Sequence, residues 1–108
     1  MTINYENLNN CKSNIKKFDK SRLLIVTKNQ SLDDIEELIN SGYRMFGENR
    51  VQEAKLKYSS INNFEDISLH LIGPLQTNKV KEALMLFDTI ESIDRKKLVD
   101  EIFKVTNK

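Results

Sequence analysis

Residues 22–42 read RLLIVTKNQSLDDIEELINSG, and they hold one complete strand–turn–helix unit. The aliphatic run Leu23-Leu24-Ile25-Val26, between Arg22 and Thr27, has the length and β-branched content of a short buried strand. Lys28-Asn29-Gln30 supplies a polar turn. Ser31, with Asp34 three residues later, makes a capping-box pattern that starts a helix. Leu32, Ile35, Leu38 and Ile39 fall on one face of that helix, and Gly42 stands where its C-terminal stop belongs.

The same unit recurs three more times. A second strand, Arg44–Phe46, closes at Gly47, and Asn49 can cap a helix with Val51, Ala54 and Tyr58 on its inner face. After a polar loop at Asn62-Asn63, a third strand covers Ser68–Ile72 and breaks at Gly73-Pro74. A helix from about Asn78 then buries Val80, Ala83, Leu84 and Phe87. The fourth strand is Asp88–Ser92, and Asp94 caps a last helix carrying Leu98, Ile102 and Val105. Ahead of all four units, Leu8, Cys11, Ile15 and Phe18 form one stripe on a helix from about Asn4 to Phe18, where Cys11 reads as a buried, inert thiol.

The fold class is therefore α/β: an N-terminal helix followed by (βα)4 with parallel strands and right-handed crossovers. Two architectures fit. One is a small open sheet covered on both faces. The other is half of a TIM-type (βα)8 barrel, which takes about 250 residues when complete. Periodicity does not choose between them.

Composition bounds the function. The 108 residues make one domain, residues 1–108, with three glycines and one proline leaving no room for a linker. Seventeen Lys and Arg face sixteen Asp and Glu, so no basic field exists to grip nucleic acid. No apolar run approaches the roughly 20 residues that cross a bilayer, and the first residues have no secretory pattern. These features predict a cytoplasmic protein without nucleic-acid or membrane partners. One cysteine and one histidine argue against a metal site.

In either architecture the chemistry gathers at the carboxyl ends of the strands. Those positions are Lys28, Glu48-Asn49, Gly73 to Lys79, and Ser92-Ile93-Asp94. Lys28 follows a buried strand directly, where a neutral amine can attack a carbonyl to form an imine; as one of thirteen lysines it can equally be a solvated loop residue. Glu48 and Asn49 can orient a ligand, or Asn49 can serve only as a cap. His70, on an apolar strand, reads as a hydrogen-bonded core histidine. No Walker, GxGxxG or GxSxG pattern occurs.

Four runs, LLIVTK (23–28), FGENRVQEA (46–54), HLIGPLQTNK (70–79) and FDTIESID (87–94), resemble in order and spacing the first half of the pyridoxal phosphate homeostasis proteins. That family is a single-domain (βα)8 barrel similar to the amino-terminal domain of alanine racemase. The resemblance implies that Lys28 holds pyridoxal 5′-phosphate as a Schiff base. It also implies that Asn49, His70, Gly73, Gln76 and Asn78 line the same mouth, and that the protein serves cofactor homeostasis without catalytic turnover. Thr27 stands where the family usually has serine, and Asn29-Gln30-Ser31 replaces a segment that commonly ends in proline. The family's phosphate-binding groups belong to the second half, so the chain reads as a truncated barrel.

Two other functions stay open at this point. A half-barrel fragment could act only as an oligomerising module, two copies pairing through exposed sheet edges to supply eight strands. A minimal Schiff-base enzyme, such as a racemase or aldolase, would need a second positioned acid or base.

Overall fold

The computed structural model describes residues 3–15, 22–61 and 66–106. Its elements are α1 (Tyr5–Ile15), β1 (Ile25–Val26), α2 (Leu32–Asn40), β2 (Met45–Glu48), α3 (Val51–Tyr58), β3 (Ser68–Leu71), a 3-10 turn (Thr77–Lys79), α4 (Val80–Leu86), β4 (Thr89–Ile90) and α5 (Lys96–Thr106). Phe18 and the Asn62-Asn63 loop lie outside the described residues.

The four strands are all parallel and stand in the order β1-β2-β3-β4. This order decides between the two architectures. A doubly wound sheet reverses its strand order at a switch point, which sends helices to both faces. A consecutive order with right-handed crossovers keeps every crossover helix on one face. The chain is a half barrel.

Burial alternates accordingly. Thr27, Phe46, Glu48, Leu69 and Leu71 are fully buried against the helices, whereas Val26, one residue out of phase, is 43% exposed. The helix faces expected from spacing do the covering: Ile35, Leu38 and Ile39 from α2, Val51, Ala54 and Tyr58 from α3, Val80 and Ala83 from α4, and Leu98 from α5. Phe46 meets Tyr58 with ring centroids 6.3 Å apart and planes tilted 50°. Such tilted pairs add about 0.5–1.5 kcal/mol beyond their buried area.

Several boundaries differ from expectation. Gly47 does not end the second strand. It lies inside β2, on the uncovered face, where Leu24 and Ile72 close over it. Asn49 is not the cap of α3; Arg50 holds that position without a side-chain cap bond. The fourth helix begins at Val80, after the 3-10 turn, rather than near Asn78. Asp94 pairs with the Arg95 guanidinium at 2.9 Å, and α5 starts two residues later. Cys11 is exposed rather than buried, because the core contacts of this end come from Ile3, ahead of α1, and from Leu8, and α1 leans on α2 through the Tyr5 hydroxyl, which donates to Glu37 at 2.8 Å. The Ser31 cap is as expected, its Oγ accepting from Asp34 N–H at 3.2 Å.

Candidate functional site

The end of β1 turns sharply. Thr27 N–H still donates to Gly47 O at 2.9 Å, and Gln30 N–H then folds back to Thr27 O at 3.1 Å. Asn29, at the tip, has φ of 60°, a left-handed conformation that asparagine tolerates better than most residues. Lys28 is thus carried at the rim of the sheet, and it is exposed.

Parallel register aligns the strands at this rim. Val26 pairs with Gly47, Glu48 with Leu71 and Leu71 with Ile90. Just past these paired residues, Lys28, Asn49, Ile72 and Glu91 form a row along the carboxyl rim of the sheet, with Ile72 and Glu91 on the uncovered face by strand alternation. His70 and Thr89 are partners one row below. The His70 ring meets Ser68 Oγ at 3.2 Å through Nε2. Its Nδ1 is buried without a hydrogen-bond partner, 3.6 Å from the Glu91 carboxylate.

Gly73 locks the next loop onto this row. A Cβ there would lie 2.8 Å from Cα and C of Asn49 and would overlap its carbonyl oxygen, so only glycine allows the two loops to touch. Ser92 Oγ–H donates to Gly73 O from the following loop. Beyond them Asn49 and Gln76 line a cleft of about 430 Å³ with Arg50, Gln52, Pro74 and Lys79. Asn78 is exposed in the 3-10 turn and is not among the residues lining that cleft.

Glu48 does not face a ligand. It has the parity of Phe46, points into the helix layer and is fully buried. Its carboxylate accepts from the Thr27 hydroxyl and lies 2.9 Å from Lys57 Nζ. The Thr27 hydroxyl spends its one proton on Glu48, so at 2.6 Å it accepts from the Tyr58 hydroxyl. Burial first of all, and then the Glu48 charge, push the Tyr58 phenol well above its ordinary range despite the Thr27 bond, which keeps it a donor.

Lys57 reaches further. Its Nζ donates to the carbonyl of Thr27 at 2.6 Å and to Glu53 at 3.2 Å. Glu53 in turn accepts from Asn29 N–H at 2.7 Å. The Asn29 N–H above all, and then Lys57, hold the Glu53 carboxyl below its usual range. The stability it contributes is therefore present above the ordinary carboxylate pKa of about 4.3 and is lost as pH falls through the lowered value.

Sequence reasoning missed Lys57 and Glu53 and misread Glu48. The period-2 alternation from Phe46 carried the signal for Glu48, and the i,i+4 spacing of Glu53 and Lys57 marked them as a pair. Nothing local tied that pair to the β1 turn.

The chain has known counterparts in sequence and in fold. A protein of Aquifex aeolicus is 44% identical over 84 residues, which are 78% of this chain and 36% of the relative. Others from Synechocystis sp. and Buchnera aphidicola are 42% and 37% identical over 68% and 73% of this chain, and over 34% and 40% of their own lengths. All three are named pyridoxal phosphate homeostasis protein. Its sequence relatives are pyridoxal phosphate homeostasis proteins. The chain spans well under half the length of these homeostasis proteins. No protein-family model matches it.

Among solved structures, PipY of Synechococcus elongatus with pyridoxal phosphate bound superposes with a TM-score of 0.82 at 37% identity. The match covers 94% of this chain and 47% of PipY. PipY without the cofactor gives a TM-score of 0.85 at 35% identity. The half barrel therefore corresponds to about half of a complete barrel-like homologue.

Proposed function

We propose that this chain binds pyridoxal 5′-phosphate through a Schiff base at Lys28 and serves cofactor homeostasis in the cytoplasm without turning over a substrate. The carrying observation is the placement of Lys28. It is an exposed primary amine in the turn at the carboxyl end of β1, at the same end of the sheet as Asn49 after β2, in a chain whose relatives are named pyridoxal phosphate homeostasis proteins and whose structural neighbour holds that cofactor.

The residues present suit the group. When bound, the cofactor would supply an aldehyde with which the Lys28 amine would condense to a C=N bond with loss of one water, a reversible attachment that would also allow release. Asn49 offers an amide donor and acceptor at the same end of the sheet, just after the neighbouring strand β2. His70 presents a buried Nδ1 still free to bond, one row below. Gly73 holds the Asn49 loop in place, and Gln76 and Asn78 follow on the next loop. A retained carrier needs no second acid or base at the amine. The carboxylate nearest in sequence to Asn49, Glu48, is committed to Lys57 and Thr27 on the far side of the sheet.

Mixing the chain with pyridoxal 5′-phosphate is expected to produce an imine absorbance band, and borohydride followed by peptide mapping to locate the adduct. With thirteen lysines the mapping is decisive. Lys28→Ala should remove the mapped adduct and leave the melting curve unchanged. Equal labelling of other lysines with Lys28 unmodified defeats the proposal.

One observation favours a second reading, a half barrel that pairs with another copy. The uncovered face presents Val26 at 43% exposure together with the half-buried Leu24, Met45 and Ile72, and among the described residues β1 and β4 are the edges of the sheet. Light scattering separates the readings: a mass of two chains at micromolar concentration supports pairing, whereas a monomer at high concentration removes it.

A further inference from the structure

We infer that Lys57 and Glu53 of α3 are positioning residues that grip the backbone on both sides of Lys28 and so restrict the directions its amine can take. The inference deepens the reading of Lys28 as the Schiff-base lysine and rests on it for its chemical consequence. Lys57 Nζ donates to the carbonyl of Thr27, the residue before Lys28. Glu53 Oε1 accepts from the N–H of Asn29, the residue after it. The two side chains lie one helical turn apart and bond each other at 3.2 Å, so the grip is one rigid unit.

Neither contact is needed for α3 itself. Glu53 could stay in solvent, and a lysine in that helix gains nothing from a strand carbonyl. The Thr27 carbonyl also accepts from Gln30 N–H, so Lys57 adds a charge-assisted bond to a group that the turn already uses. Asn29 sits at a positive φ, a conformation that persists only where the surroundings hold it. Glu48, buried behind Thr27, fixes the Lys57 ammonium at 2.9 Å and so anchors the grip to the sheet. Because Lys28 is exposed, the direction of its amine follows from the backbone of this turn. Loosening the turn spreads the amine over more directions and reduces the fraction ready to meet an aldehyde.

The test uses Glu53→Gln, which removes a partly exposed charge. It also uses the paired variant Glu48→Gln with Lys57→Met, which removes both buried charges together and avoids stranding one. Pyridoxal 5′-phosphate is the probe. Each variant should form the Lys28 adduct with an equilibrium constant about tenfold lower, the cost of reordering one residue's backbone. Far-ultraviolet dichroism of Glu53→Gln should stay at the parent's, and its melting midpoint should fall only slightly, since it loses the charge whose lowered pKa contributes stability. Amide exchange at Asn29 and Gln30 should quicken in both variants. An unchanged adduct constant with unchanged exchange at those amides overturns the inference. Should the parent itself form no Lys28 adduct, the Schiff-base reading fails on its own, and the exchange rates still decide whether the grip exists.

Discussion

Replacing Glu48 with alanine is expected to lower the unfolding free energy by roughly 3–5 kcal/mol, the cost of removing one member of a buried ion pair. The carboxylate is fully buried, and it serves the Lys57 ammonium at 2.9 Å and the Thr27 hydroxyl together. Its removal leaves Lys57, whose side chain is only 13% exposed, with Glu53 as its remaining carboxylate partner. The low end of the range is favoured for that reason. The Thr27 and Tyr58 hydroxyls lose the acceptor that orders their chain. For a small domain this is a large share of a total stability of about 5–15 kcal/mol. Urea denaturation checks it: the midpoint should fall with an unchanged m value. Glu48→Leu combined with Lys57→Met should recover most of the loss, since replacing both charges with apolar groups leaves nothing stranded. A midpoint equal to the parent's for the single alanine variant would show that the pair contributes nothing net.

The same carboxylate marks where the sequence stopped being legible. Its parity with Phe46 places it under the sheet, yet its position beside Asn49 at a strand's end reads as a binding group. Burial decided the matter, and burial depends on which face the helices cover. That in turn depends on strand order, a non-local property that alternation along one strand does not contain. The four βα units, their apolar helix faces and the Ser31 cap were all readable, because spacing and capping act within a few residues. Gly47 reads as a stop because glycine commonly punctuates strands; only the convergence of Leu24 and Ile72 from neighbouring strands reveals it as a gap that they fill. For the site, the motif positions of Lys28, Asn49 and Gly73 were evident. The Lys57 and Glu53 grip was not, since its partners lie 30 and 24 residues away in the chain.

Gly73→Ala is expected to destabilise the chain by about 1–3 kcal/mol, the usual cost of forcing an extra carbon into packed structure, and to displace Asn49. Strain in the glycine's own backbone is not the cause, because Gly42 is the glycine with positive φ. The obstacle is what the new methyl meets. At 2.8 Å from Cα and C of Asn49 it strikes main chain, which cannot rotate away as a side chain would. The β2–α3 loop must therefore part from the β3–α4 loop, opening the cleft that Asn49 and Gln76 line together. Gly47→Ala is the internal control. There the methyl meets Leu24 Cδ2 at 3.1 Å and Ile72 Cδ1 at 3.3 Å, the mobile ends of two side chains that can give by a few tenths of an ångström. The two substitutions add the same carbon to the same kind of residue, and they differ only in whether backbone or side-chain tips must yield. Denaturation midpoints should fall much further for the position 73 variant, and amide shifts of Asn49 and Arg50 should move in that variant alone. Equal midpoints and equal shifts would mean that the loops are not in the close contact on which the placement of Asn49 at the cleft depends.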